Sequence, residues 1–294
     1  MTHTFTSIFF IFQVFCCKAM ISIGRRAITS PNFLTKNAIN VFNRKNDFQM
    51  NGNDDVAWSK VKVVSSEEVG PSLKTVTIDV GEFSANYMNP GQYVQMKMSD
   101  DKPGFYAIAS APKSNGIFEF LIKGTEANKP LFQVKSGDEV DISSIMGKGF
   151  PIREEFEGFK YDFPVQNIVL LATGTGIAPI RAAIESGMLE TDTTGPFGRS
   201  CTLYYGVENE AKLAYKHKID EWEGRGITVV PVMSKPEGTW KGKIGYVQAA
   251  LGEDSIRVPR NTGCLICGQK EMISEAKSIL TNAGVFEGRQ LLNF

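Results

Sequence analysis

The chain has 294 residues, 42% apolar and 22% charged, enough apolar material to build cores for two domains, or for one domain with appendages. Its 32 basic residues balance its 32 acidic ones, and zero net charge excludes a general nucleic-acid binder, which carries a basic excess. Five cysteines, an odd number at irregular spacing, exclude a disulfide framework.

Residues 1–50 contain no acid before Asp47, carry Lys18, Arg25, Arg26, Lys36, Arg44 and Lys45, and are rich in Ser, Thr and Asn. That is the composition of an organelle transit peptide, plastid or mitochondrial. The apolar block Ile8–Cys17 has the length of a secretory-signal core, yet no Lys or Arg precedes it and the basic residues follow it. It is too short to span a bilayer by itself, so no stable membrane span is expected. NGNDD, within residues 51–57, reads as a linker.

From Trp58 to about residue 160 the pattern is one of short alternating segments: WSKVKVVSS, SLKTVTIDV, QYVQMKM, GFYAIAS, GIFEFLIKG and EVDISS. Turn signals separate them at Gly70-Pro71, Asn89-Pro90-Gly91, Lys102-Pro103-Gly104 and Ser114-Asn115-Gly116. Six short strands at this spacing predict a small antiparallel barrel. Lys129–Val134 reads as one or two helical turns.

Between Gly158 and Pro164 the rhythm changes. QNIVLLA is a continuous apolar run, as a strand buried on both faces requires. A helix follows to Gly187, whose lack of a side chain suits a left-handed stop. CTLYYG, a helix over Ala211–Trp222, ITVVPV, GKIGYVQAAL, GCLICG and a helix over Lys270–Asn282 continue the alternation. Strands alternating with helices predict a parallel sheet covered on both sides, here over residues 161–294.

In such sheets ligands gather beyond the carboxyl ends of the strands. TGTGIAPIR (Thr173–Arg181) sits at one. Gly174 and Gly176 permit a tight turn and close ligand approach. Pro179 suits the first turn of a helix, whose free N–H groups favour an anion such as a pyrophosphate, and Thr173 and Thr175 add hydroxyl donors. Cys264 and Cys267 form a lone C-x-x-C. One pair cannot complete a four-ligand zinc or iron–sulfur site, and with His3 and His217 the only histidines no metal site is expected.

TGTGIAPIR resembles the nucleotide-binding signature of the ferredoxin–NADP⁺ reductase superfamily, and it opens an α/β segment that follows a barrel. CGQKEM (Cys267–Met272) resembles the family's C-G-x-x-x-M segment, in which the cysteine lies beside the nicotinamide and Gly268 lets the ring approach, with Met272 closing the motif. FYAIAS (Phe105–Ser110) resembles the flavin-binding strand. The resemblance implies that Tyr106 lies along the flavin of FAD, with Ala107, Ile108 and Ser110 beside it. The stretch Gly124–Phe150, with Ile122 and Lys123 before it and Thr125 in it, resembles the flavin-pyrophosphate loop, short helix and closing strand. The likeness runs from Trp58 to the C-terminus and is nearest to plastid reductase-like proteins of plants, which favours the chloroplast over the mitochondrion.

Two positions depart from the family pattern. An arginine is usual two residues before the tyrosine and Ser or Thr just after it; here they are Gly104 and Ala107. The arginine's contact with a pyrophosphate is worth roughly 1.5–3 kcal/mol, and Lys123 or Lys102 is the available substitute. In MSKPEGTWKGKIGYVQ, Ser234, Lys235, Lys243 and Tyr246 match the places where NADP-preferring members hold the 2′-phosphate, and no acid directly follows the strand ITVVPV. NADPH is therefore expected over NADH. Phe294 matches the terminal aromatic that stacks on the flavin, or else packs as an ordinary apolar terminus, while Glu287 and Arg289 read as surface charges.

The resemblance implies a flavin-dependent NAD(P)H oxidoreductase that passes hydride from NADPH to FAD and then electrons to a ferredoxin-like protein, a quinone or another small molecule. No cysteine cluster follows the α/β segment, so any iron–sulfur centre belongs to a partner. Two alternatives stand beside it: a nucleotide-binding sensor or interaction module, because of Gly104 and Ala107, and a membrane-tethered reductase held by the apolar leader.

Overall fold

Alternating apolar and polar residues between Trp58 and Ser143 make six antiparallel strands in the computed structural model, which describes residues 57–99, 101–158, 160–191 and 198–293. The leader, the linker apart from residue 57, and Phe294 lie outside the described residues. The strands are β1 (Trp58–Gly70), β2 (Leu73–Asp79), β3 (Tyr93–Lys97), β4 (Gly104–Ala107), β5 (Ile117–Lys123) and β6 (Glu139–Ser143), in the order β4-β3-β6-β1-β2-β5. The long β1 serves two neighbours. Its first residues pair with β6 and its later ones with β2, across a register shift between Val63 and Ser65 that bends the strand. Beyond β4, Ala109 N–H donates to the Glu119 carbonyl at 2.8 Å and Glu119 N–H donates to Ser110 Oγ at 3.2 Å, drawing the edge strands together towards a barrel. Val76, Ile78, Val94, Met96, Phe118 and Phe120 fill it, and Leu131 of the single-turn helix α1 (Lys129–Phe132) joins them.

After helix α2 (Ile152–Phe156) come six parallel strands: β7 (Asn167–Thr173), β8 (Ser200–Val207), β9 (Ile227–Met233), β10 (Lys243–Ile244), β11 (Thr262–Cys267) and β12 (Gln290–Leu292). Their order is β10-β9-β8-β7-β11-β12. The chain therefore reverses its direction of travel across the sheet between β7 and β11. The helices are α3 (Ile177–Glu185), α4 (Ile219–Gly224), α5 (Val247–Asp254) and α6 (Lys270–Ala283). The run of apolar residues in β7 is explained by its two cores. Ile168, Leu170 and Ala172 face Ile177 of α3 and Trp222 of α4, while Val169 and Leu171 face Leu251 of α5 and Leu280 of α6. The first of these cores also takes in Leu73, Ala109 and Leu121 of the barrel sheet, so both sheets belong to one compact unit.

Two expectations are corrected. The helix expected over Ala211–Trp222 is broken into 3₁₀ turns at Glu210–Lys212 and Lys216–Lys218 before α4 begins. Ala214 N–H donates to the Tyr205 hydroxyl at 3.2 Å, and Tyr215 adopts a left-handed backbone (φ +59°) that places its ring 4.4 Å from the Arg181 guanidinium. Tertiary contacts have overridden local propensity.

Arg289 is not a surface charge but fully buried. Its guanidinium donates to the carbonyls of Glu155 (3.3 Å), Arg260 (3.0 Å) and Phe163, and lies 4.4 Å from the Tyr161 ring and 5.0 Å from the Phe163 ring. Burial pulls its pKa down from the ordinary value. It thereby ties three segments to the start of β12. Arg289→Met would strand those carbonyls, and each unpartnered buried acceptor costs about 1–3 kcal/mol. We expect a loss of about 3 kcal/mol or more, read as a lower urea midpoint at unchanged slope.

Candidate functional site

The site begins where β7 ends. Thr173 leads into a 3₁₀ turn, Gly174–Gly176, and then into α3. Gly174 has φ +53°, a conformation that side chains disfavour. Gly176 is needed for a different reason: a Cβ there would collide with the Cys267 carbonyl at the end of the neighbouring β11. Gly268, the next residue, presses back, since its own Cβ would meet Thr173 Oγ1 and Met272 Cε. Gln269 N–H donates to Thr173 Oγ1 at 3.2 Å. The two strand-to-helix turns are thus interlocked at the reversal of strand order, the usual place for a ligand in an open parallel sheet. The first turn of α3 carries no acidic side chain to oppose an anion.

A cleft of about 1310 Å³ opens over these turns, between them and the barrel edge. Single-ligand pockets run to roughly 300–1,000 Å³, so this one has room for more than one nucleotide. On the barrel wall Tyr106 is held by Asn128, whose side-chain amide donates to the phenol at 3.3 Å and to the Lys123 carbonyl at 2.9 Å. Burial raises the phenol's pKa, with the Asn128 bond acting the other way. The Tyr106 ring folds over Gly104, where a Cβ would lie 2.8–3.0 Å from the ring and its hydroxyl. Any larger residue at 104 needs another tyrosine position, which gives the sequence departure there a steric reason.

The structure brings fourteen of the expected site residues to this cleft: Tyr106, Ala107, Lys123, Gly124, Thr173, Gly174, Thr175, Gly176, Pro179, Ser234, Lys235, Tyr246, Cys267 and Gly268. Six it does not bring there. Ile108 and Ile122 are buried among the barrel residues. Ser110 is taken up in the closure with β5, accepting from Glu119 N–H, and Thr125 bonds Asn128 through its hydroxyl at 2.9 Å. Met272 lies beneath Gly268 and is buried. Lys243 is held by Asp254 (2.6 Å) and Glu253 (3.3 Å) of α5, so its charge is already matched away from the cleft. Phe294 lies outside the described residues.

Among the other residues that line the cleft, Tyr93, Glu208, Lys212 and Asn293 were not singled out from the sequence. Glu208 directly follows β8, and the rule that ligands sit beyond strand ends pointed to it. Asn293 carries no such signal; it is buried, and its side-chain oxygen finds no partner among the described residues. Lys212 and Lys235 pair with Glu208, Lys235 Nζ at 3.2 Å, and together hold its carboxyl below the usual carboxylate range. Among the described residues no group of three or more His, Cys, Asp or Glu could hold a metal ion.

Residues 170–278 match the family model of the oxidoreductase NAD-binding domain. The chain is 35% identical over 249 residues to the fruit protein pKIWI502 of Actinidia deliciosa, covering 79% of this chain and 75% of that protein. It is 27% identical over 236 residues to the CDP-6-deoxy-L-threo-D-glycero-4-hexulose-3-dehydrase reductase of Yersinia pseudotuberculosis, covering 78% of this chain and 66% of that protein. A solved ferredoxin NADP⁺ reductase of Neisseria gonorrhoeae, with bound FAD and NADP, superposes with a TM-score of 0.67 at 18% identity, over 80% of this chain and 97% of that one. This chain belongs to the ferredoxin–NADP⁺ reductase superfamily.

In this superfamily member the glycine interlock and Cys267 can be tested separately. Gly176→Ala forces the two turns apart; overpacking of this kind costs about 1–3 kcal/mol. We expect that loss in denaturant unfolding, together with dinucleotide binding weakened on the order of tenfold in a fluorescence titration. Burial pushes the Cys267 thiol up to about 12, so it stays protonated at neutral pH. Iodoacetamide at pH 8 should modify residue 267 at least about a hundredfold more slowly than a free thiol. Peptide mapping gives the rate, which should rise about tenfold per pH unit and not level off below that value.

Proposed function

We propose that this chain is a FAD-dependent NADPH oxidoreductase that passes electrons to a ferredoxin-like protein or a small molecule. In this reading residues 58–160 hold the flavin and 161–294 the nicotinamide dinucleotide. One observation carries it: a single cleft has a glycine-built phosphate turn on one wall and the Tyr106–Asn128–Lys123 loop on the other. The residues fit the two nucleotides. Gly174, Gly176 and Gly268 leave the backbone bare where phosphate and ring must approach, and the buried Asn293 oxygen offers an acceptor to a ligand N–H. Lys123 on one wall and Lys235 on the other supply positive charge for phosphates.

Bound FAD would supply the hydride-accepting and electron-releasing chemistry, and the chain the geometry and electrostatics. Tyr106 orients the flavin from the barrel side. Cys267, neutral at physiological pH, packs as a small polarisable group and carries no proton away. Ala107 presents no hydroxyl, so alignment at that point rests on shape alone. Ser234 and Lys235 support NADPH over NADH. The reductase names of the Yersinia and Neisseria relatives support turnover over a binding-only role. Among the described residues no helix is long and apolar enough to cross a membrane. Plastid residence is proposed on the leader's composition, and the plant source of pKIWI502 supports it.

The purified chain should be yellow, or turn yellow with added FAD, and anaerobic NADPH should bleach that colour. A chain that stays colourless in high-micromolar FAD would sink the proposal; a yellow chain that NADPH leaves unbleached would remove its catalytic part.

A further inference from the structure

The carboxyl end of β8 holds a charge cluster of which the proposed function uses only Lys235. Glu208 lines the cleft between two lysines that also line it, Lys212 and Lys235. Lys235 Nζ lies 3.2 Å from Glu208 Oε1, and Lys212 takes Oε2. The backbone fixes this arrangement: Ser234 N–H donates to the Val207 carbonyl at 3.0 Å and Lys235 N–H to the Glu208 carbonyl at 2.7 Å. The segment after β9 is thus laid alongside the segment after β8. Lys243 is matched by Asp254 and Glu253 and does not contribute. The available charge at this end of the cleft is two ammonium groups and one carboxylate, with Ser234 beside them.

We propose that Glu208 sets the choice between NADPH and NADH, its carboxylate occupying the two lysines that a 2′-phosphate would take and offering an acceptor to a free 2′-hydroxyl. The inference rests on the dinucleotide reading above. A phosphomonoester carries between about 1.5 and 2 negative charges at neutral pH. To bind here it must draw Lys212 and Lys235 off Glu208 and tolerate a carboxylate at close range. A ribose hydroxyl meets no such opposition, because it donates to the carboxylate, the arrangement by which dinucleotide sites favour NAD. Glu208 therefore holds the NADPH preference below the level two free lysines would give. Lys212, four residues on from Glu208, becomes a second phosphate-binding group.

The test uses the full chain, with 2′,5′-ADP and 5′-AMP as probes in calorimetry, and NADPH against NADH in turnover. Glu208→Gln keeps the side chain's size and removes its charge. We expect it to tighten 2′,5′-ADP on the order of tenfold relative to 5′-AMP, with the gain shrinking as salt is added. The NADPH:NADH ratio of kcat/KM should rise in the same sense. Adding Lys212→Gln to that variant should cancel most of the gain. An unchanged 2′,5′-ADP to 5′-AMP ratio in Glu208→Gln, or a gain that survives loss of Lys212, overturns the role given to these residues while leaving the reductase reading intact. Failure of the unaltered chain to bind either probe or NADP⁺ overturns the reductase reading, and this inference with it.

Discussion

The cleft has a defined width because one buried ion pair ties its walls together. Arg181 on α3 grips the Glu119 carboxylate on β5 with both Nη atoms, Nη2 at 3.1 Å, while its Nε donates to Glu185 at 2.9 Å. Burial works against this guanidinium's charge, but Glu119 and Glu185 outweigh it and hold its pKa above the ordinary value. The position of the pair in each element gives it leverage. Glu119 lies four residues before Lys123, where the Tyr106 loop begins, and Arg181 lies five residues after Gly176, the last residue of the phosphate turn. A fork-to-carboxylate contact fixes orientation as well as distance. With Leu73, Ala109 and Leu121 sharing a core with α3, the barrel cannot slide along that helix without exposing apolar surface. Buried pairs of this kind contribute little net stability, so its value here is geometric.

That contact explains what was legible in the sequence and what was not. Strand periods and turn residues are local, and they placed both sheets, while the motifs shared with the family named fourteen residues that line the cleft. The pairing of residues 62 positions apart is not local, and nothing near Arg181 announced Glu119. The break in the expected helix at Tyr215 is a consequence of the same contact, since the ring must turn under the guanidinium. Arg289 was misread for a related reason. A lone arginine in a polar-looking tail has the composition of a surface residue, and only the fold brings three carbonyls and two aromatic rings to it. Lys243 turns to Asp254 and Glu253 of α5 while Lys212 lines the cleft beside Glu208, placements set by distant side-chain partners that motif spacing does not report.

The two departures from the family pattern, Gly104 and Ala107, both fall on the barrel wall of the cleft. Gly104 removes a cation but gives the Tyr106 ring a surface to lie against, and Asn128 then secures the phenol. The barrel wall therefore has a positioned aromatic where the family pattern places a cation. Lys123 remains on that wall as a point charge, able to attract a pyrophosphate but not to orient it.

The glycine interlock shows why such departures leave the site's geometry intact. The turn at Cys267–Gly268 and the turn at Gly174–Gly176 touch through backbone atoms and the short Thr173 side chain. Their spacing follows from the β7–β11 pairing itself, in which Cys267 is opposite Ala172. On the function proposed above, one end of a bound dinucleotide is therefore positioned by the sheet. On that reading its other end meets Glu208, Lys212, Ser234 and Lys235, side chains that follow β8 and β9 and are free to change. A fold divided in this way can alter which dinucleotide it prefers by substitution at one end of the cleft, and the reacting end, held by strand pairing, does not move in response.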